Sequence, residues 1–203
     1  MRRKIGIAFM FVGLILLCGA LSLYLSNGSE ETQAQLATQE VLPQIIEKLP
    51  EVPDAAAVVE QLTPIEFLEP EALEMTEVVI NGYAYIGYIS VPLLNLELPV
   101  MSEWDYPRLK ISPCRYTGSV NGEDLVVMAH NYSTHFGGIS QLQIGDSVIF
   151  TDMDGIITNY EVVGRDILAP DAVEEVTSGE VDLTLFTCTY GGKSRVTVYC
   201  NEV

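Results

Sequence analysis

Residues 183–200, LTLFTCTYGGKSRVTVYC, constrain the fold most, because they predict a β-hairpin with reactive groups at its tip. Two runs rich in β-branched residues flank a short polar loop that contains two glycines. If the loop is 189–194, Cys188 and Arg195 form the last pair of an antiparallel ladder. Paired residues face the same side, with Cβ atoms about 4.5–5.5 Å apart, whereas a one-residue slip would separate them. The sequence therefore predicts a thiol and a guanidinium at one site.

A third group is needed to move protons at such a site. A thiol with a pKa of about 8.5 is mostly protonated at neutral pH, and a nearby cation favours the reactive thiolate. An arginine also offers a fork of donors for a carbonyl or an oxyanion. The sequence has two histidines, and His130 ends the apolar run 125–130, LVVMAH, which predicts a buried strand that stops at a polar loop. His135 is interpreted as a loop residue, with a place in the cleft wall left open.

Three separated motifs, taken in order, resemble the sortases, the cysteine transpeptidases of Gram-positive cell surfaces. The family pattern is an apolar strand ending in His, a Gly-Asp before a strand, and a T-L-x-T-C strand followed by Arg. This sequence has His130, Gly145-Asp146, the run 184–188 and Arg195. The stretch YIGYISVPLLNLELPV (85–100) resembles the opening strands of the family, so the resemblance covers about residues 83–203.

The resemblance implies a closed eight-stranded β-barrel and acyl transfer without a metal or organic cofactor. Cys188 would attack the carbonyl of a sorting signal such as Leu-Pro-x-Thr-Gly, His130 would transfer protons, and Arg195 would hold the oxyanion. Three further residues are expected to support the site or contact the substrate: Thr187, Ala129 and Tyr190.

The implied partners are surface proteins with a C-terminal sorting signal, an amine of a peptidoglycan precursor, and the membrane. A formal net charge of -18 argues against nucleic acid as a partner, since few basic residues are available to meet phosphates. A housekeeping or class D-like sortase is preferred. The alternatives are a pilin-polymerising sortase, another Cys/His cell-wall enzyme such as an L,D-transpeptidase, and a non-catalytic, membrane-tethered binding module.

The N-terminal region predicts a membrane anchor. Residues 5–25 carry no charge, and 21 residues are long enough to span a bilayer as a helix. Basic residues at 2–4 precede this run, so 1–4 would be a cytoplasmic tail and the catalytic domain would lie outside the cell. A cleaved signal peptide stays open as an alternative, because Ala20 and Ser22 are compatible with a cleavage site.

Residues 26–82 are crowded with acidic side chains and contain five prolines. This composition predicts a solvated, partly helical stalk whose short helical runs the prolines interrupt. The alternative is a lid that covers the cleft. One short helix is expected around Ala55–Leu62.

Residues 83–203 predict an all-β sandwich or barrel, because short apolar runs alternate with glycine-rich turns. Asp152–Gly155 is a predicted hairpin turn. Residues 171–179 are a predicted loop or short helix, which the resemblance to the sortases places near the substrate groove. Cys200 is expected to be a core thiol, and a disulfide between Cys114 and Cys200 is left open. The predicted strands are 83–91, 96–101, 124–129, 146–151, 156–164, 181–188 and 195–202.

Overall fold

The fold is known from a computed structural model that describes residues 2–50, 75–122, 124–178 and 180–203. The short helix expected around Ala55–Leu62 lies outside the described residues. Side chains of the N-terminal helix are described from residue 10 onward.

Nine strands form one sheet, and eight of them close into a barrel. The order is β1-β2-β3-β4-β5-β8-β9-β7-β6, and β6 also pairs with β2. The closed eight-stranded barrel expected from the sequence is therefore confirmed, and β1 is an additional strand on β2. The strands are β1 (Val78–Ile80), β2 (Tyr83–Val91), β3 (Leu96–Met101), β4 (Cys114–Thr117), β5 (Leu125–Ala129), β6 (Ser147–Asp152), β7 (Ile157–Leu168), β8 (Leu183–Cys188) and β9 (Arg195–Glu202).

The predicted strands at 83–91, 96–101 and 195–202 match β2, β3 and β9, whereas β1 and β4 were not predicted. These two strands have three and four residues, too few to show an alternating pattern. The predicted end of β7 at residue 164 is also wrong. The β7–β9 register shifts between Val162 and Gly164, so the glycine marks a β-bulge and pairing continues to Leu168.

In the part of the chain that the structure describes, three α-helices accompany the barrel: α1 (Arg2–Lys48), α2 (Tyr106–Leu109) and α3 (Val173–Val176). The α2 helix begins after Asp105, whose carboxylate accepts a hydrogen bond from the Arg108 backbone N–H. The α3 helix lies in the connection where the sequence predicted a loop or short helix.

Helix α1 runs without a break past the predicted anchor boundary at residue 25, and Pro43 lies inside it. The expectation that Pro43 interrupts the helix is therefore wrong. Ala34, Val41 and Ile45 are buried on the barrel, and burial of apolar area offsets the hydrogen bond that proline removes. Among the described residues, Met10–Lys48 has a window with mean hydropathy 1.8, apolar and long enough to span a membrane.

The barrel interior is filled by apolar side chains from alternate strand positions. Cys200 is fully buried in this core, as expected, whereas Cys114 is buried in a second cluster between α1 and the barrel wall. All four cysteines are free, so the disulfide that the sequence left open is not formed. Central members of the main core include Ile89, Val127, Phe150, Leu185 and Val198.

Candidate active site

The hairpin of β8 and β9 places Cys188 opposite Arg195. The two residues are the last pair of the antiparallel ladder, which confirms the predicted register and the loop 189–194. The loop contains a tight 3₁₀ turn, Tyr190–Gly192, in which both glycines have positive φ. The Thr189 backbone N–H donates to the Ser194 carbonyl at 2.9 Å and closes the loop at its base.

A parallel pairing brings His130 to the same edge. Strands β5 and β8 run side by side with Ala129 opposite Thr187, so His130 and Cys188 are the next residues on neighbouring strands. Neighbouring strands lie about 4.8 Å apart. The Thr187 hydroxyl donates a 2.8 Å hydrogen bond to the Ala129 carbonyl oxygen and links the two strand ends.

A pocket of about 150 Å³ is lined by His130, Cys188 and Arg195 together. The structure thus brings the three predicted groups to one rim. Ala129 also lines the pocket, whereas Thr187 is buried beneath it with 3% exposure. Tyr190 lies outside the pocket lining and its side chain is 92% exposed, so the expected contact with bound substrate has no support in this geometry.

The other wall of the pocket is apolar and aromatic, and its aromatic part was not predicted from the sequence. Trp104 packs on Tyr116 with ring centroids 5.5 Å apart, and Tyr116 packs edge-on against Phe186 at 5.4 Å. Val173 and Val176 of α3 line the facing side. Trp104 is the only tryptophan of the chain, and this was the one feature of the sequence that could have indicated the aromatic wall.

The Tyr132 ring packs against His130, and burial and two nearby charges set the pKa of its imidazole. The Tyr132 ring stacks on it with centroids 4.7 Å apart and 22° between the planes. Burial lowers the pKa of His130, a lowering that the Glu30 carboxylate opposes and the Lys110 ammonium reinforces. The imidazole is therefore neutral near pH 7 and can accept a proton.

Two acidic residues of α1 contact the loop that follows His130. Glu30 pairs with Lys110 at 2.7 Å and accepts a hydrogen bond from the Tyr132 hydroxyl at 3.1 Å. Glu31 accepts a 2.8 Å hydrogen bond from the Ser133 backbone N–H. The sequence assigned this part of the chain to a stalk, so these contacts were not predicted.

His135 is a buried loop residue rather than a wall of the pocket. Its ring is 0% exposed, and neither ring nitrogen has a hydrogen-bond partner among the described residues. Burial lowers the pKa of His135 to about 4. The Tyr132 ring contacts both histidines, with its centroid 5.5 Å from that of His135.

The Arg195 guanidinium is not paired with a carboxylate in the described part of the chain. Its Nη1 contacts only backbone oxygens, those of Gly192 at 3.4 Å and Ser194 at 3.3 Å. Asp182 and Glu202 are carboxylates of the neighbouring segments that could have paired with it. Asp182 instead accepts a hydrogen bond from the Glu202 backbone N–H. The guanidinium therefore retains donors for a ligand.

Comparison with known proteins gives one consistent family. The sortase domain model matches residues 89–203. Sortase A of Bacillus anthracis is 30% identical over 126 residues, which is 59% of this chain and 60% of that protein. The chain thus spans about 60% of the length of this curated relative.

Solved structures share the fold. Sortase A from Corynebacterium diphtheriae matches with a TM-score of 0.54 and 22% identity over 60% of this chain and 61% of that chain. Sortase C1 from Streptococcus agalactiae has a TM-score of 0.54 and 26% identity, covering 62% of this chain and 70% of its own. Sortase C of Clostridium perfringens, solved with a C-terminal cell-wall sorting motif, has a TM-score of 0.52 and 26% identity, covering 59% and 70%.

Proposed function

The chain belongs to the sortase family, whose domain model matches residues 89–203, and we propose that it is a membrane-anchored cysteine transpeptidase. The observation that carries the proposal is the shared pocket of Cys188, His130 and Arg195 at the ends of β8, β5 and β9. A nucleophile, a proton carrier and an oxyanion donor at one rim are the groups that acyl transfer needs.

In the first half-reaction, neutral His130 takes the thiol proton of Cys188. The thiolate sulfur attacks the carbonyl carbon of the Thr in a Leu-Pro-x-Thr-Gly-like sorting signal, and the Gly nitrogen is the leaving group. When the tetrahedral intermediate collapses, the C–N bond breaks and the imidazolium protonates the leaving amine. The product of this step is a thioester on Cys188.

In the second half-reaction, an amine attacks the thioester carbonyl. His130 takes a proton from the attacking amine and returns it to the departing sulfur, so the proton balance closes. Arg195 donates to the oxyanion in both half-reactions, because its fork is not engaged by a carboxylate. The proposed acceptor is an amine of a peptidoglycan precursor or of another surface protein.

The apolar wall of the pocket suits the Leu-Pro part of such a signal. Leucine and proline side chains offer only apolar surface, and the ring faces of Trp104, Tyr116 and Phe186 can exclude water around them. Thr187 acts as a support, since its hydroxyl is committed to the Ala129 carbonyl.

The N-terminal region is proposed to hold the enzyme at the cell surface. Residues 5–25 would form the membrane-spanning part of α1, with 1–4 in the cytoplasm and the barrel at 83–203 outside. The surface substrates and the peptidoglycan precursor are both present on that side.

Thioester trapping tests the chemistry. The protein is incubated with a Leu-Pro-x-Thr-Gly peptide library, and the mass of the covalent adduct is measured. Wild type and Cys200→Ala should gain the acyl mass, and Cys188→Ala should gain none. An adduct on Cys188→Ala would overturn the assignment, and no adduct on wild type with any library member would favour a non-catalytic binding module.

Pilin polymerisation is the second candidate. The sortase C structures of Streptococcus agalactiae and Clostridium perfringens match at 26% identity, which lies between the 22% of sortase A from Corynebacterium diphtheriae and the 30% of sortase A from Bacillus anthracis, so sequence identity does not rank the two candidates. The acceptor distinguishes the two: a pilin polymeriser uses the side-chain amine of a protein lysine rather than a peptidoglycan precursor. Supplying both amines to the trapped thioester and identifying the product by mass decides between them.

A further inference from the structure

Helix α1 packs along the barrel in a defined direction, with its N-terminal part at one end of the barrel and its C-terminal part at the other. Among the side chains that the structure describes, Glu30 and Glu31 make its first hydrogen bonds to the barrel, to Lys110, Tyr132 and Ser133 beside the pocket. These contacts lie next to His130 in sequence and in space.

Glu40 in the later part of the helix, and Pro50 just beyond the helix end at Lys48, make contacts at the other end of the barrel. Glu40 accepts a hydrogen bond from Asn81 in the β1–β2 turn, and Pro50 lies against Gly155 in the β6–β7 turn. From that turn, β7 runs twelve residues to Leu168, which pairs with Arg195 at the pocket. The helix therefore enters at the catalytic rim and leaves at the opposite end.

The distance from the apolar run to the rim is short. The apolar run ends at Leu25, and Glu30 is five residues further along the same unbroken helix. With a rise of 1.5 Å per residue, this separation is about 8 Å. A helix that crosses a bilayer with residues 5–25 would hold the catalytic rim close to the lipid headgroups.

Exposed aromatic side chains are found on this same rim. Trp104 is 39% exposed, Tyr106 74% and Tyr190 92%, and the apolar Ile167 and Val173 beside them are 71% and 50% exposed. Tryptophan and tyrosine are enriched at the membrane–water interface, because an apolar ring and a polar tip suit that boundary. Tyr190 lies outside the pocket, so an interface position explains an exposure that substrate contact does not.

We propose that the catalytic rim rests on the phospholipid interface, with Trp104, Tyr106 and Tyr190 at headgroup level and α1 fixing its height. This inference rests on the membrane anchor of the proposed function. Its consequence is that the pocket receives sorting signals within about 10 Å of the point where a membrane-tethered substrate leaves the lipid.

Trp104 provides the test, because it is the only tryptophan of the chain. The full chain is reconstituted in phosphatidylcholine–phosphatidylglycerol vesicles whose acyl chains carry bromine near the glycerol end. Bromine quenches tryptophan only at close range, so Trp104 emission should fall by about half relative to unbrominated vesicles if the ring lies at the interface. A variant with seven helix-forming residues inserted after Gly28 is the control. The insertion lengthens the helix by about 10 Å and nearly preserves its face, so quenching should disappear.

The outcomes distinguish failure of the interfacial position of the rim from failure of the membrane anchor. Unquenched wild-type protein that resists carbonate extraction would overturn the interfacial rim and leave the anchor standing. Wild-type protein that carbonate releases from the vesicles would overturn both. Quenching that persists after the insertion would show that α1 does not set the height, which also overturns the proposal.

Discussion

The two walls that meet at the pocket are held in different ways. His130 is packed under the Tyr132 ring, and the loop behind it is bonded to Glu30 and Glu31 of α1. On the opposite side, the hydrogen bonds described for the tip of the β8–β9 hairpin, residues 189–194, all stay within the hairpin. A Cβ added at Gly191 or Gly192 would meet nothing within 4 Å.

Because of this difference, we expect substitutions on the two sides of the pocket to affect the unfolding free energy and the reaction rate to different extents. A side chain in the histidine wall contributes to the folded state and to the proton affinity of His130. A side chain at the hairpin tip contributes little to folding, because few atoms surround it. Substitutions at the tip should therefore change the reaction and leave the unfolding free energy nearly constant, and substitutions in the histidine wall should change both.

Arg195→Lys gives the largest expected effect. A lysine keeps the charge but loses the fork of donors, and loss of an oxyanion donor costs about 100-fold or more in kcat. The measurement is the rate of acyl-enzyme formation with a sorting peptide, together with the unfolding free energy in urea. Arg165→Lys on β7 is the matched control, since Arg165 bonds backbone oxygens of Ser140 and Leu142 outside the pocket. Equal rates for wild type and Arg195→Lys would make Arg195 merely structural.

His135 should make the histidine wall sensitive to acid. Its folded pKa of about 4 lies below the ordinary value of 6.5, so the unfolded chain binds more protons between these values. Stability is then present above pH 6.5 and is lost as the pH falls toward 4, by about 2 kcal/mol between pH 7 and pH 5.

The test compares the unfolding free energy of wild type and His135→Leu across that pH range. Leucine leaves no unpartnered nitrogen in the buried site, so the acid-dependent loss should be smaller by the His135 contribution. Parallel stability–pH curves for the two proteins would show that the pKa of His135 is the same in the folded and the unfolded chain, which would contradict the prediction.

The barrel and the catalytic edge could be predicted from the sequence because local patterns determine them. Short strands between turn residues indicated the sheet, and six residues between Cys188 and Arg195 sufficed to predict the hairpin register. The position of His130 at the end of an apolar run placed it at the neighbouring strand end.

The histidine wall could not be predicted in the same way. Contacts between Glu30 and Tyr132 join residues 102 positions apart, and no local periodicity reports such a pair. The acidic composition of 26–82 indicated a solvated stalk, whereas tertiary packing of Ala34, Val41 and Ile45 decided the conformation of its first part.

Thr187→Val tests the link between the two walls. The variant keeps the side-chain shape and removes the 2.8 Å hydrogen bond to the Ala129 carbonyl, which should cost about 1 kcal/mol of unfolding free energy. Thr197→Val on β9 is the matched control, because the Thr197 hydroxyl is buried and has no hydrogen-bond partner among the described residues, so its loss should not destabilise. Equal stabilities for the two variants would show that the Thr187 bond does not hold β5 and β8 together.

Glu30→Gln should give the smallest effect, and a specific one. The amide can still accept from the Tyr132 hydroxyl, but the negative charge that raises the pKa of His130 is gone. His135, Tyr132, Lys110, Glu31, Cys188 and Arg195 also face or adjoin His130 and remain unchanged. The pKa of His130 should fall further, so the acid limb of kcat/KM should shift to lower pH by a few tenths of a unit. Glu40→Gln is the control on the same helix, since Glu40 contacts Asn81 at the far end of the barrel. If both variants keep the wild-type pH profile, the helix holds the histidine loop in place without tuning the charge of His130.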